Sequence, residues 1–152
     1  MSTKGIKVSL DLIGDRATRK KLERLSFKAI RKANRQAIRF ALTPIAKAIR
    51  QNVPIDEGDL KKATATKTFG KGLNVGGVAG ADAAYRTTDE DGNAKVPANY
   101  DHLVEFGHVN TDGTFTPPAG YQRRAAEQAL PIAEKRYIQK ATEIIEKEAL
   151  KQ

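Results

Sequence analysis

The chain has 152 residues, 39% of them apolar and 30% charged, the size and make-up of a single water-soluble domain able to bury a core without staples. It contains no cysteine, which excludes a disulfide scaffold, a thiol nucleophile and any thiolate metal site, and fits a reducing cytosol. The net charge of +9 is concentrated: between Asp15 and Arg50 twelve Lys or Arg are opposed only by Asp15 and Glu23, so that segment carries +10 and the remainder −1.

No stretch approaches the roughly 18 to 20 apolar residues that a bilayer span needs. Two lysines near the start have no apolar block behind them, so a secretory signal is not expected. A soluble, intracellular protein with no membrane partner is the expectation.

The first predicted element is a strand, in which Ile6, Val8, Leu10 and Leu12 alternate with polar residues. Gly14 ends it, and Asp15 or Thr18 can cap a helix. Apolar or small residues then recur at three or four: Leu22, Leu25, Ala29, Ala33, Ala37, Ala41, Ile45 and Ala48, one face of a long basic helix. Pro44 removes a donor and crowds the preceding turn, predicting a kink or break near Leu42–Pro44. Pro54 and the Asp56-Glu57-Gly58 turn begin a loop.

Thr64 to Phe69 reads as a strand with threonines outward. It meets Gly70-Lys71-Gly72 as a hairpin, and Leu73, Val75 and Val78 form the returning strand. Residues 82–97 are polar, with Asp89, Glu90 and Asp91 at their centre, and read as a mobile loop. Tyr100 to Phe106 is apolar enough to return to the core as a further strand. Residues 107–117 form a second flexible loop carrying Asp112-Gly113 and Pro117-Pro118. A last helix runs from Tyr121 to about Leu150, with a seam of Tyr121, Ala125, Ala129, Ala133, Tyr137, Ala141, Ile144 and Ala149, and a bend expected at Pro131. The order predicts one α+β domain over 1–152, a small antiparallel sheet packed against two long helices.

Little in the chain points to catalysis. His102, Glu105 and His108 are metal-ligating types, yet their spacing does not match a helical zinc motif, and on a strand Glu105 would point away from both histidines. No metal site follows. There is no Gly-x-Ser-x-Gly elbow, and the glycines from Gly70 to Gly77 lack the Gly-Lys-Ser/Thr ending of a phosphate cradle. No catalytic residue and no cofactor is expected. The basic helix is the strongest physical feature. Lys20, Lys21, Arg24, Lys28, Arg31, Lys32, Arg35 and Arg39 could meet nucleic-acid phosphates, meet an acidic partner, or form the solvated side of an amphipathic helix. Its two aromatic residues, Phe27 and Phe40, are expected to face inward rather than stack on bases.

Three segments together resemble a known family. Val53-Pro54-Ile55-Asp56-Glu57-Gly58-Asp59-Leu60-Lys61-Lys62, then Tyr100-Asp101-His102-Leu103-Val104-Glu105-Phe106-Gly107, then Pro117-Pro118-Ala119-Gly120-Tyr121-Gln122-Arg123-Arg124-Ala125 are similar, in order and spacing, to the signatures of the gene-ten-like tail-component family of HK-type long-tailed bacteriophages. The residues that carry the likeness are Pro54, Gly58, Leu60, Tyr100, Glu105, Phe106, Gly107, Pro118, Tyr121 and Ala125. The chain departs from the pattern at His108, where Thr is usual, at Gly120-Tyr121, where Pro-Phe is common, and at Arg124, which replaces a proline.

The resemblance implies a head–tail joining or tail-completion protein that does no chemistry. It implies a ring of identical subunits around the DNA channel of the virion neck. Its partners would be further copies of itself, the head connector, and the tail-tube or tail-terminator proteins. It would be found in the bacterial host cytoplasm during assembly and in the virion neck or tail afterwards. The rival reading is a nucleic-acid-binding accessory protein using the basic helix 16–50, with non-specific DNA contact. Backbone turns at Gly58 and Gly107, a backbone donor or cation for Glu105, and a plug at Tyr121 are structural roles that need no substrate.

Overall fold

The structure, a computed structural model, describes residues 27–55, 58–71 and 73–151, with the side chain of Lys28 left aside. The predicted strand at Ile6–Leu12 and the cations Lys20, Lys21 and Arg24 lie outside the described residues. The elements in order are α1 (Phe27–Asn52), α2 (Asp59–Ala63), β1 (Thr64–Lys71), β2 (Asn74–Ala81), β3 (Thr87–Thr88), β4 (Ala94–Lys95), a 3-10 turn (Pro97–Asn99), α3 (Asp101–Phe106), β5 (His108–Val109), β6 (Phe115–Thr116) and α4 (Tyr121–Ala149). The class is α+β with two long helices. In place of one sheet there are three two-stranded pairings, β1–β2, β3–β4 and β5–β6.

Several local expectations change. Residues 82–97 hold the β3–β4 hairpin and a 3-10 turn, and 107–117 hold the β5–β6 hairpin. Tyr100 to Phe106 contributes a short helix, not a strand, and Phe106 is exposed instead of returning to the core. A segment of seven residues cannot establish its own period, and here the contacts to the chain beyond it decide the backbone. No break interrupts α1 at Pro44. A proline inside a helix costs about 3 kcal/mol, whereas burying Leu42, Ile45 and Ile49 contributes about 1.5 to 3 kcal/mol each. Packing on both sides of Pro44 wins. α4 likewise continues through Pro131.

By its contacts the chain forms two compact units, each from separate stretches. One groups Met1–Thr43, Lys67–Val78 and Pro131–Gln152, and the other Pro44–Thr66 and Ala79–Leu130. In each long helix the division falls at its proline.

In the first unit, Ala33, Ala37 and Ala41 of α1 and Ala133, Tyr137, Ala141 and Ile144 of α4 are buried, as the seams predict, whereas Ala149 at the end of α4 is exposed. Lys32 pairs with Glu148 at 3.6 Å, and the Arg136 guanidinium stacks 4.3 Å from the Phe40 ring centroid. Here the two helices therefore run antiparallel. The Tyr137 hydroxyl donates to Asn34 Oδ1 at 2.9 Å, satisfying a polar tip that the small residues around it leave room for. Phe27, expected inward, is exposed and lies under the Arg31 guanidinium.

In the second unit, Ile45, Ala46, Ala48, Ile49 and Val53 of α1 and its continuation are buried, together with Leu60, Ala63, Tyr121, Ala125 and Ala129. Arg50 donates to the Thr64 carbonyl at 2.6 Å, and Asn52 donates to Gln128 at 2.9 Å. Thr64, expected outward, is buried, with its hydroxyl on the Leu60 carbonyl at 2.8 Å. That bond occupies one of the carbonyls that the end of a helix leaves without a partner.

Candidate functional site

The signature residues of the second unit meet at one junction, where α3 and the loop after β6 lead into α4. A helix start has backbone N–H groups with no intrahelical partner, normally capped by the residue before the helix. That residue here is Gly120, which has no side chain. Glu105, from α3, supplies the cap. Its carboxylate accepts the Gln122 N–H at 2.9 Å and the Arg123 N–H at 3.2 Å. Glu105 is only 7% exposed, so the negative charge sits in a protected place at the positive end of α4.

The backbone closes the same junction. The carbonyls of Val104 and Glu105, left open by the end of α3, accept the N–H groups of Ala119 at 2.9 Å and Gly120 at 3.1 Å. Gly107 turns the chain out of α3 with φ 76° and ψ 165°, a region open in practice only to glycine. A Cβ there would lie 2.7 Å from the Thr116 carbonyl oxygen and 2.8 Å from the Pro118 nitrogen. Pro118 is itself exposed and acts by its place in the turn.

Tyr121 is buried, and its hydroxyl donates to Asp101, whose second oxygen accepts Gln122 Nε2 at 2.6 Å. Burial pushes the Asp101 carboxyl above the usual range, against the opposing effect of its bonds from Tyr121 and Gln122. Burial, then the bond to Asp101, pushes the Tyr121 phenol well up, so it stays protonated and donates. A raised native value means that Asp101 contributes stability fully below its unfolded pKa of about 3.9 and loses it as pH rises through the native value. Asp101→Asn, which carries no charge, should therefore gain in Tm relative to the wild type as pH rises from about 4 to 7. Thermal melts of both proteins across that range test this, and a difference independent of pH would overturn it.

The other landmark folds differently. Gly58, with φ +77°, precedes α2, where Leu60 is buried and Asp59, also buried, pairs with Lys95 at 3.3 Å. Pro54 is exposed in the preceding loop. The Tyr100 carbonyl accepts the N–H groups of Leu103 and Val104 at the start of α3, and its ring lies 5.5 Å from the Lys95 ammonium. Ala125 is fully buried, one turn into α4.

The histidines do not assemble with Glu105. His102 is exposed, Glu105 is committed to the cap, and His108 Nδ1 lies 3.3 Å from the Leu103 carbonyl. Among the described residues no cluster of three or more metal-ligating types forms. Along α1, Arg31, Lys32, Arg35 and Arg39 are exposed, and three of these have partners within their unit. Arg31 covers Phe27, Lys32 meets Glu148, and Arg35 donates to the Gly70 carbonyl at 3.0 Å. No helix of the described residues is long and apolar enough to cross a membrane. Sequence reasoning missed Asp101, Gly120 and the Asp59–Lys95 pair, because partners so far apart in the chain follow no spacing rule.

Residues 16–107, well over half of the chain, match the family model described as Bacteriophage HK97-gp10, putative tail-component. The chain belongs to that family. It is a structural component of the bacteriophage tail, in contact with other phage structural proteins. The match spans the first two landmarks and ends at Gly107, so the third, at the start of α4, lies beyond it. For this tail component the junction joins the two: Glu105 and Gly107, inside the matched range, hold Ala119 to Arg123 outside it. No curated protein and no solved structure gives a match.

Proposed function

We propose that this tail component completes the tail at the virion neck. Copies form a ring around the DNA channel, bridge the head connector to the tail-tube or tail-terminator proteins, and catalyse no reaction. The observation that carries this reading is an apolar display. Phe106, Val109 and Phe115 are 70%, 69% and 64% exposed, around a hairpin that the Glu105 junction anchors. Large apolar side chains held out by an anchored turn suit a docking contact better than a substrate site.

The protein would act in the host cytoplasm as particles mature and remain in the neck. Phage with the gene disrupted should accumulate DNA-filled heads and separate tails, visible by negative-stain microscopy. Normal joined virions without the protein would refute the joining role.

A second reading rests on Arg31, Arg35 and Arg39, which recur four apart and so share one side of α1. They support weak, sequence-indifferent DNA contact that should be largely gone by about 0.2 M salt. Salt-resistant, sequence-selective binding would promote that reading above joining.

A further inference from the structure

The charge is divided between the two units in a way that the linear sequence hides. Over its sequence ranges, the unit of Met1–Thr43, Lys67–Val78 and Pro131–Gln152 carries 19 Lys or Arg against 7 Asp or Glu, and the other unit carries 8 against 11. One is strongly basic and the other mildly acidic. Copies meeting through two basic units would set like charges together, whereas copies meeting through unlike units are steered into contact.

Each unit also sets apolar side chains beside its charge. In the basic unit, Asn34 donates to the Leu73 carbonyl at 3.2 Å and Arg35 to the Gly70 carbonyl, which ties the β1–β2 turn to α1. Phe27, Phe69 and Leu73 are exposed there, beside Arg31. The acids of α4 in this unit are partly spent internally, Glu148 on Lys32 and Lys151, and Glu143 on Lys140. In the acidic unit, Asp89 shapes the β3–β4 turn by accepting the N–H groups of Asp91 at 3.1 Å and Asn93 at 2.7 Å. Glu90 and Asp91 are exposed at its tip. Val109 stands opposite Phe115 in the β5–β6 hairpin, so their exposed side chains form one small apolar face.

We infer that the occupant of these surfaces is a second copy of this chain. The β3–β4 turn and β5–β6 hairpin of one copy dock on α1 and the β1–β2 turn of the next. The contact joins two unlike surfaces, so every added copy leaves one of each open, and the series ends only when it closes. This rests on the ring reading above and names the surfaces that would build it.

The test uses the whole chain and two charge-reversed variants, Glu90→Lys with Asp91→Lys and Arg31→Glu with Arg39→Glu, each checked for wild-type helix content. By sedimentation at low salt the wild type should self-associate, and each variant alone should do so about tenfold more weakly. An equimolar mixture should recover, because the reversed acidic surface of one variant then faces the reversed basic surface of the other. A mixture that stays dissociated overturns the pairing, as does a wild type that is monomeric at every concentration. Wild-type association in both variants overturns the pairing and leaves the ring reading standing. That reading fails separately, if virions join without the gene.

Discussion

Glu105→Ala should lower Tm by roughly 5 to 10 °C and leave no chemical step to measure. Two N–H groups at the start of α4 lose their shared acceptor, and Gly120 has no side chain to replace it. An unsatisfied buried donor costs about 1 to 3 kcal/mol, and a lost negative charge at a helix N-terminus costs about 0.3 to 1 kcal/mol more. Together these come to about 2 to 4 kcal/mol, and in a chain of this size each is worth about 2 to 4 °C. Glu105→Gln separates the two contributions. Its carbonyl oxygen can still accept one N–H, so it should lose less than half as much. An unchanged melt for Glu105→Ala would show that the cap contributes nothing. Because the same junction anchors the β5–β6 hairpin, head–tail joining should fail in the alanine variant at growth temperatures where the fold still holds.

The second large effect is expected at Gly107. Replacement by alanine forces an L side chain into a backbone region that costs about 1 to 3 kcal/mol. The new Cβ would also press on the Thr116 oxygen and the Pro118 nitrogen, both main-chain atoms that cannot rotate away. Overpacking of that kind adds about 1 to 3 kcal/mol. Gly107→Ala should therefore lower Tm by about 10 °C. Gly113→Ala makes a useful companion, since that glycine also has positive φ but nothing within 4 Å of its Cβ position. It should lose only the strain. Equal losses at the two positions would show that the close approach at Gly107 carries no weight.

Much of this protein is legible in its amino-acid sequence. Period sets both long helices: the alanine seams of α1 and α4 are buried from Ala33 to Ala48 and from Tyr121 to Ile144. Turn chemistry places the β1–β2 hairpin, and the family signatures place Glu105 and Gly107 among the residues that matter. These features are local, because helix period, glycine turns and motif spacing are properties of neighbouring residues.

What only the tertiary structure decided is long-range. Tyr100 to Phe106 is a helix, and Phe106 points outward, because Val104 and Glu105 spend their carbonyls on Ala119 and Gly120. α1 passes through Pro44 because burial on both flanks outweighs one lost bond. The cap of α4 comes from a residue 17 positions earlier. The division of charge arises because each unit is assembled from separate stretches of chain. In every case the deciding partner lies beyond the reach of a periodic pattern, so composition and spacing could name the residue but not what it holds.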